Sequence, residues 1–154
     1  MKTSRYAKVL VERVLNVLAR RPRTVNMEEW MSHDESVEGK HPYCGTTACL
    51  AGHVALAAGF PPVNRSFYYR SEIPAVHRSK FTSNGDDHVF IPSVAQTLLG
   101  IPESDIVTTS RLFHADKWPQ EFARAYYAAS AADNYRGMSH AMRARLRHWA
   151  KTGA

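Results

Sequence analysis

The run Ala48-Cys49-Leu50-Ala51-Gly52-His53-Val54-Ala55-Leu56-Ala57-Ala58 constrains the fold more than any other part of this chain. It is the most apolar stretch of the sequence and is long enough for about three helical turns. A helix that is apolar on every side has no face to give to water, so neighbours must enclose it. Ala51, Gly52, Ala55, Ala57 and Ala58 are small and let those neighbours come close. Thr46 or Thr47 is expected to cap this helix and Gly59 to close it. The reading is a central helix over about 46–58, entered through a turn at Tyr43-Cys44-Gly45.

The rest of the chain is cut into helix-length pieces by proline, glycine and capping residues. Thr3 or Ser4 caps a helix that Pro22 stops, with Tyr6, Leu10, Val14, Val17 and Leu18 on its apolar stripe and Val9, Val11 and Leu15 widening it. Asn26 to Met31 reads as a capped single turn that sends Met27, Trp30 and Met31 inward. Ser93 is expected to cap a short helix ended by Gly100, and Pro102-Glu103-Ser104-Asp105 to open the next, carrying Ile106, Val107, Leu112 and Phe113. Pro119 starts a third, with Phe122, Ala125, Tyr126 and Ala129 on one face. A break is expected at Tyr135-Arg136-Gly137. Ser139 would then cap a last helix with Met142, Leu146, Trp149 and Ala150 facing inward and its arginines facing out. Ser66 to Arg70 and His88 to Ile91 read as short strands around the turn signal Ser83-Asn84-Gly85-Asp86-Asp87. The expected fold is mainly α: a compact single-domain helical bundle of residues 1–154, with a small β-hairpin or long irregular loop inserted around residues 63–92.

With 154 residues, 44% hydrophobic and 22% charged, the chain has enough material for an ordinary core without disulfides, a structural metal or any cofactor. No window approaches the roughly 18 apolar residues of a membrane span, and Glu12, Arg13 and Asn16 interrupt what would be the apolar part of a signal peptide. A cytoplasmic protein with no membrane partner is expected. The net charge is +6, and its distribution matters more than its size. Lys2, Arg5, Lys8, Arg13, Arg20, Arg21 and Arg23 make the first segment positive against Glu12 alone; Arg136, Arg143, Arg145, Arg147 and Lys151 do the same at the other end, with no acid after Asp133. If the two ends meet, they form a basic face that attracts phosphate-bearing or acidic partners; otherwise they are two solvated helices.

Three kinds of chemistry fit the cysteine stretch. Cys44 precedes an expected helix start, which favours the thiolate, and the surrounding residues look superficially like the nucleophile region of papain-like peptidases of the bacteriocin-processing type. His88, with Asp87 or Asp86, would be its base and orienting group. The glutamine such enzymes place shortly before the cysteine is missing from Glu38 to Tyr43. A metal could instead be held by His41, Cys44, Cys49 and His53, although this spacing matches no common zinc finger. The favoured reading is structural: both cysteines act as small buried hydrophobes at a loop-to-helix junction. Binding is therefore assigned to Arg143, Arg145, Arg147 and Lys151 as phosphate contacts, with Tyr68 or Tyr69 stacking on bases. The partner is expected to be a host protein, a nucleic acid or a nucleotide; no helix-turn-helix is recognisable.

Asn26-Met27-Glu28-Glu29-Trp30 followed by Cys44-Gly45-Thr46-Thr47-Ala48-Cys49-Leu50-Ala51-Gly52-His53 resembles a group of uncharacterised small proteins of actinomycetes, other GC-rich bacteria and their phages. Leu98-Leu99-Gly100, Leu112-Phe113 and Trp118-Pro119 extend the resemblance over most of the chain from Asn26 to Pro119. The group carries no known activity. Its pattern has His or Trp at the position of His53, which implies that neither metal binding nor catalysis depends on that residue. The resemblance implies a folding signature, with the Trp30 segment packing on the cysteine helix. It also implies a phage-related, host-directed binding role.

Overall fold

Ser4 caps the first helix, α1 (Arg5–Arg20), its side chain accepting a hydrogen bond from the Ala7 amide at 3.1 Å. The structure, a computed structural model, describes residues 4–27, 31–33, 46–61, 70–81 and 88–154. Ala7, Leu10, Val11, Val14 and Leu18 form the buried stripe of α1. It is narrower than expected: Tyr6 and Val9 are exposed on the helix flank. Pro22, whose ring nitrogen has no proton to donate, ends α1 and opens a single 3-10 turn, Pro22–Thr24.

The entry to the apolar run differs from the expectation. Thr46 and Thr47 do not cap a helix; they lie in β2 (Thr46–Ala48), which pairs antiparallel with β1 (Met31–His33), Met31 opposite Ala48. The Asn26 amide also donates to the Ala48 carbonyl at 3.0 Å. These ladder bonds hold the threonines in extended backbone, so long-range pairing overrides local capping. Met31 accordingly belongs to a strand and not to a helical turn; Glu28, Glu29 and Trp30 lie outside the described residues. Cys49 occupies the cap position of α2 (Leu50–Ala57), whose first six residues are all buried. Gly59 closes the helix with φ +91°, a left-handed conformation that glycine adopts without steric cost.

The expected hairpin is present in short form. β3 (Arg70–Glu72) pairs antiparallel with β4 (His88–Phe90), Arg70 opposite Phe90 and Glu72 opposite His88. The first strand thus begins at the last residue of the expected Ser66–Arg70 segment, most of which, like the Ser83–Asp87 turn, lies outside the described residues. Between the strands the chain adds a 3-10 turn, Ala75–His77, and a one-turn helix, α3 (Arg78–Phe81). This insert is tied to the end of α2: His77 Nε2 lies 2.9 Å from the Ala58 carbonyl, and the His77 ring stacks on Phe60.

α4 (Ile91–Leu99) follows β4 without a loop, with Pro92 in its first turn; Ser93 is therefore inside the helix and not its cap. Gly100 stops it with φ +74°, as expected. Asp105 caps α5 (Ile106–Phe113) by accepting from the Thr108 amide at 2.9 Å. Leu112 and Phe113 are buried, but Ile106 and Val107, 73% and 60% exposed, face solvent because they occupy the helix's outer first turn. A 3-10 turn, Ala115–Lys117, leads to Pro119 and α6 (Gln120–Ala131), where Tyr126 and Ala129 are buried and Ala125 is exposed. The next helix, α7 (Tyr135–Thr152), starts earlier than expected: Asn134 caps it, accepting from the Gly137 amide at 2.9 Å. The chain breaks instead at Asp133, with φ +49°. Gly137 is a packing residue, since a Cβ there would come within 2.8 Å of the Ala129 Cβ on α6. Ser139 sits inside α7, and its hydroxyl donates to the Leu18 carbonyl of α1.

The architecture is mainly α. α2 packs on α4 and α1, α7 packs on α6 and α1, and the buried hydrophobic residues of all five helices join one core. Among the described residues no helix is long and apolar enough to cross a membrane.

Candidate functional site

The contact between α1 and α7 brings the two basic segments of the chain together. The last turn of α1 lies against the first turns of α7, as the Ser139–Leu18 hydrogen bond shows, and the Arg23 guanidinium lies 5.8 Å from the Tyr135 ring centroid. Arg5, Lys8, Arg13 and Arg20 are exposed on α1, and Arg136, Arg147 and Lys151 on α7. Among the described residues none of these cations forms an ion pair, whereas Lys117 and Asp116 do, at 3.0 Å. Unpaired surface cations stay hydrated and available to a counter-charged partner.

Arg145 does not belong to that surface. It is fully buried, at the core-facing spacing set by Met138, Ala141, Met142 and Trp149. Its Nε and Nη2 donate to the Arg111 carbonyl at 3.2 and 2.8 Å, and Nη1 donates to the Ala154 carbonyl at 2.7 Å. Burial, followed by the charge of Arg111, pulls its pKa down, with Glu121 acting in the opposite direction. Arg145 therefore braces α7 against α5 and cannot meet a phosphate. Arg143 is half-buried, leaving Arg147 and Lys151 as the freely exposed members of the expected contact set.

The cysteine stretch offers little reactivity where it is described. Cys49 is buried, and desolvation pushes its thiol up to about 12, although the nearby Gly52 and Ala51 amides act in the opposite sense. His53 is buried on the next turn of the same helix; its Nε2 donates to the Thr24 carbonyl at 3.1 Å, since a carbonyl can only accept. Burial lowers its pKa to about 4, so the ring is neutral at physiological pH. The expected partners His41 and Cys44 lie outside the described residues, as do Asp86, Asp87, Tyr68 and Tyr69. His88 is exposed on β4, opposite Glu72.

The described residues also form a feature with polar chemistry that the sequence did not single out. A cleft of about 400 Å³ opens between the segment after α1, the 3-10 turn before Pro119, α6 and the start of α7. Arg23, Asn26 and Met27 form one wall, and His114 and Asp116 another. Tyr126, Tyr127 and Ser130 come from α6, and Asp133 and Tyr135 from the α6–α7 junction. Tyr126 is buried and fixed: its hydroxyl accepts from the Met27 amide at 3.1 Å, and its ring meets Trp118 edge-on at 5.7 Å. Tyr127 and Tyr135 are 49% and 39% exposed, with the Arg23 guanidinium over the Tyr135 ring. Asp116 is offset by Lys117, which holds its carboxyl below the usual carboxylate range. The signal in the sequence was the cluster of Tyr126, Tyr127 and Tyr135 on either side of a helix break. It is hidden because Arg23, more than a hundred positions earlier, completes it.

No protein-family model, no curated protein and no solved structure matches this chain.

Proposed function

We propose that this chain is a non-enzymatic binding protein that engages a phosphate-bearing partner through the basic surface of α1 and α7. The observation that supports this is the packing of α1 on α7, two helices that carry the exposed Arg5, Lys8, Arg13 and Arg20 and the exposed Arg136, Arg147 and Lys151, with no ion pair among the described residues to neutralise them. A polyanion releases condensed counterions when such a surface binds it, and this favours association at low salt. The resemblance to small proteins of GC-rich bacteria and their phages adds to the proposal a cytoplasmic, host-directed role, in which an acidic host protein is the alternative partner. On the described residues, the neutral thiol of Cys49 and the carbonyl-bound His53 lend no support to a cysteine-dependent hydrolase or a zinc-binding protein.

A salt titration of binding to single-stranded and duplex DNA tests the reading. Affinity should fall steeply with salt, each phosphate contact adding roughly 0.7–0.9 to the logarithmic slope. Absence of binding at low salt with micromolar protein removes the nucleic-acid form of the proposal. In that event an affinity pull-down from host cells, compared with one using Arg147→Glu with Lys151→Glu, decides whether an acidic protein takes its place.

A further inference from the structure

The cleft walled by Arg23, Tyr127 and Tyr135 combines partly exposed aromatic rings with a guanidinium. Tyr127 and Tyr135 are both partly exposed in its lining, while the neighbouring Tyr126 is pinned by a backbone amide and by Trp118. Beside those rings stands a guanidinium, Arg23, which lies 5.8 Å from the centre of the Tyr135 ring. A planar cation so placed keeps its outer edge for an oxyanion. Arg20 and Arg21 precede it in the chain, and Arg136 follows Tyr135. Ser130 and Asp133 in the same lining supply a hydroxyl and a carboxylate, groups that bond to the edge of a base or to a sugar hydroxyl.

We propose that this cleft is a nucleotide pocket, in which a base stacks on Tyr127 and Tyr135 while its phosphate meets Arg23. The volume, about 400 Å³, suits one nucleoside and not a longer segment. A cationic ligand fits less well: Arg23 already occupies the cation position over Tyr135, and Lys117 already neutralises Asp116. Stacking tolerates every base, so the pocket accepts a free mononucleotide or one unit of a single strand. The inference rests on the proposed affinity for phosphate-bearing partners and adds a location and a chemical class to it.

The experiment uses the full chain with three probes at low salt: a fluorescein-labelled short oligothymidylate, adenosine 5′-monophosphate and choline. Tyr127→Ala and Tyr135→Ala sit at exposed positions, and near-UV circular dichroism confirms that each variant keeps its fold. Each should weaken oligothymidylate or mononucleotide binding by about 5-fold to 100-fold. Arg23→Gln should lower the salt slope by about one contact without removing the stacking contribution. The double variant Arg147→Ala with Lys151→Ala weakens the oligonucleotide but leaves the mononucleotide unchanged, which separates the pocket from the basic surface. Mononucleotide binding sensitive to the tyrosines, without oligonucleotide binding, supports the pocket and overturns the surface. Oligonucleotide binding indifferent to both tyrosines overturns the pocket and leaves the surface standing. No binding of either nucleotide probe, or preference for choline, overturns the pocket.

Discussion

Helices α2 and α7 both pass through the core, and they use their residues in opposite ways. α2 is short, apolar on all sides and enclosed by α1 and α4; the two chemically distinctive residues of its first turns, Cys49 and His53, are both buried. α7 is long and amphipathic: one face joins the core through Met138, Met142, Leu146 and Trp149, and the other carries Arg136, Arg147 and Lys151 to solvent. Burial is what makes the α2 sequence conspicuous, and burial is also what removes its reactivity, raising the thiol and lowering the imidazole pKa. Available chemistry lies at the edges of the core, where side chains are held by packing yet still meet water. The Tyr126–Tyr135 junction is such an edge.

The contrast breaks down if α2 tolerates truncation. Leu50→Ala, at a fully buried position, should cost about 2–5 kcal/mol in chemical denaturation. A loss under about 1 kcal/mol would mean that α2 is not enclosed.

A pH series probes the same helix. The folded-state pKa of His53 is depressed to about 4 from the ordinary 6.5, so the unfolded chain binds its proton first as pH falls. The stability tied to neutral His53 is therefore complete above pH 6.5 and is lost progressively toward pH 4. The loss is on the order of 3 kcal/mol. A His53→Gln variant should flatten that part of the curve; an unchanged slope would place the imidazole in solvent.

Arg145 sharpens the comparison from the α7 side, because it is a charged residue used as α2 uses its own. Arg145→Met should destabilise by about 1–3 kcal/mol, since the hydrogen bonds from the buried guanidinium to the Arg111 and Ala154 carbonyls are lost. It should leave the salt dependence of DNA binding unchanged. A reduced salt slope would put the guanidinium on the surface after all. The smallest stability effect belongs to Arg147→Ala and Lys151→Ala, each within about 0.5 kcal/mol of the wild type. For these two the salt slope should fall by about one contact each if they meet phosphates.

Local signals were legible wherever a residue acts on its immediate neighbours. Ser4, Pro22, Gly59, Gly100, Asp105 and Pro119 end or begin elements as their backbone chemistry requires. They misled where a distant partner outweighed the local preference. Thr46 and Thr47 are good caps, but β1 draws them into a ladder. Ser139 is a good cap, but Asn134 starts α7 earlier and the Ser139 hydroxyl serves α1 instead. The Tyr135-Arg136-Gly137 triplet looks like a break, yet Gly137 is there to let α7 touch Ala129.

The candidate site divides along the same line. The sequence by itself determined that the chain is mainly helical, that its apolar run must be enclosed and that both ends are basic, because period, composition and charge are properties of residues close in the chain. Only the tertiary structure decided that those ends touch, that Arg145 turns inward while Arg147 and Lys151 remain outside, and that Arg23 joins Tyr127 and Tyr135 around one cleft. These are statements about which helix face meets which neighbour. A helical period says which residues share a face, and packing alone says what that face is turned toward.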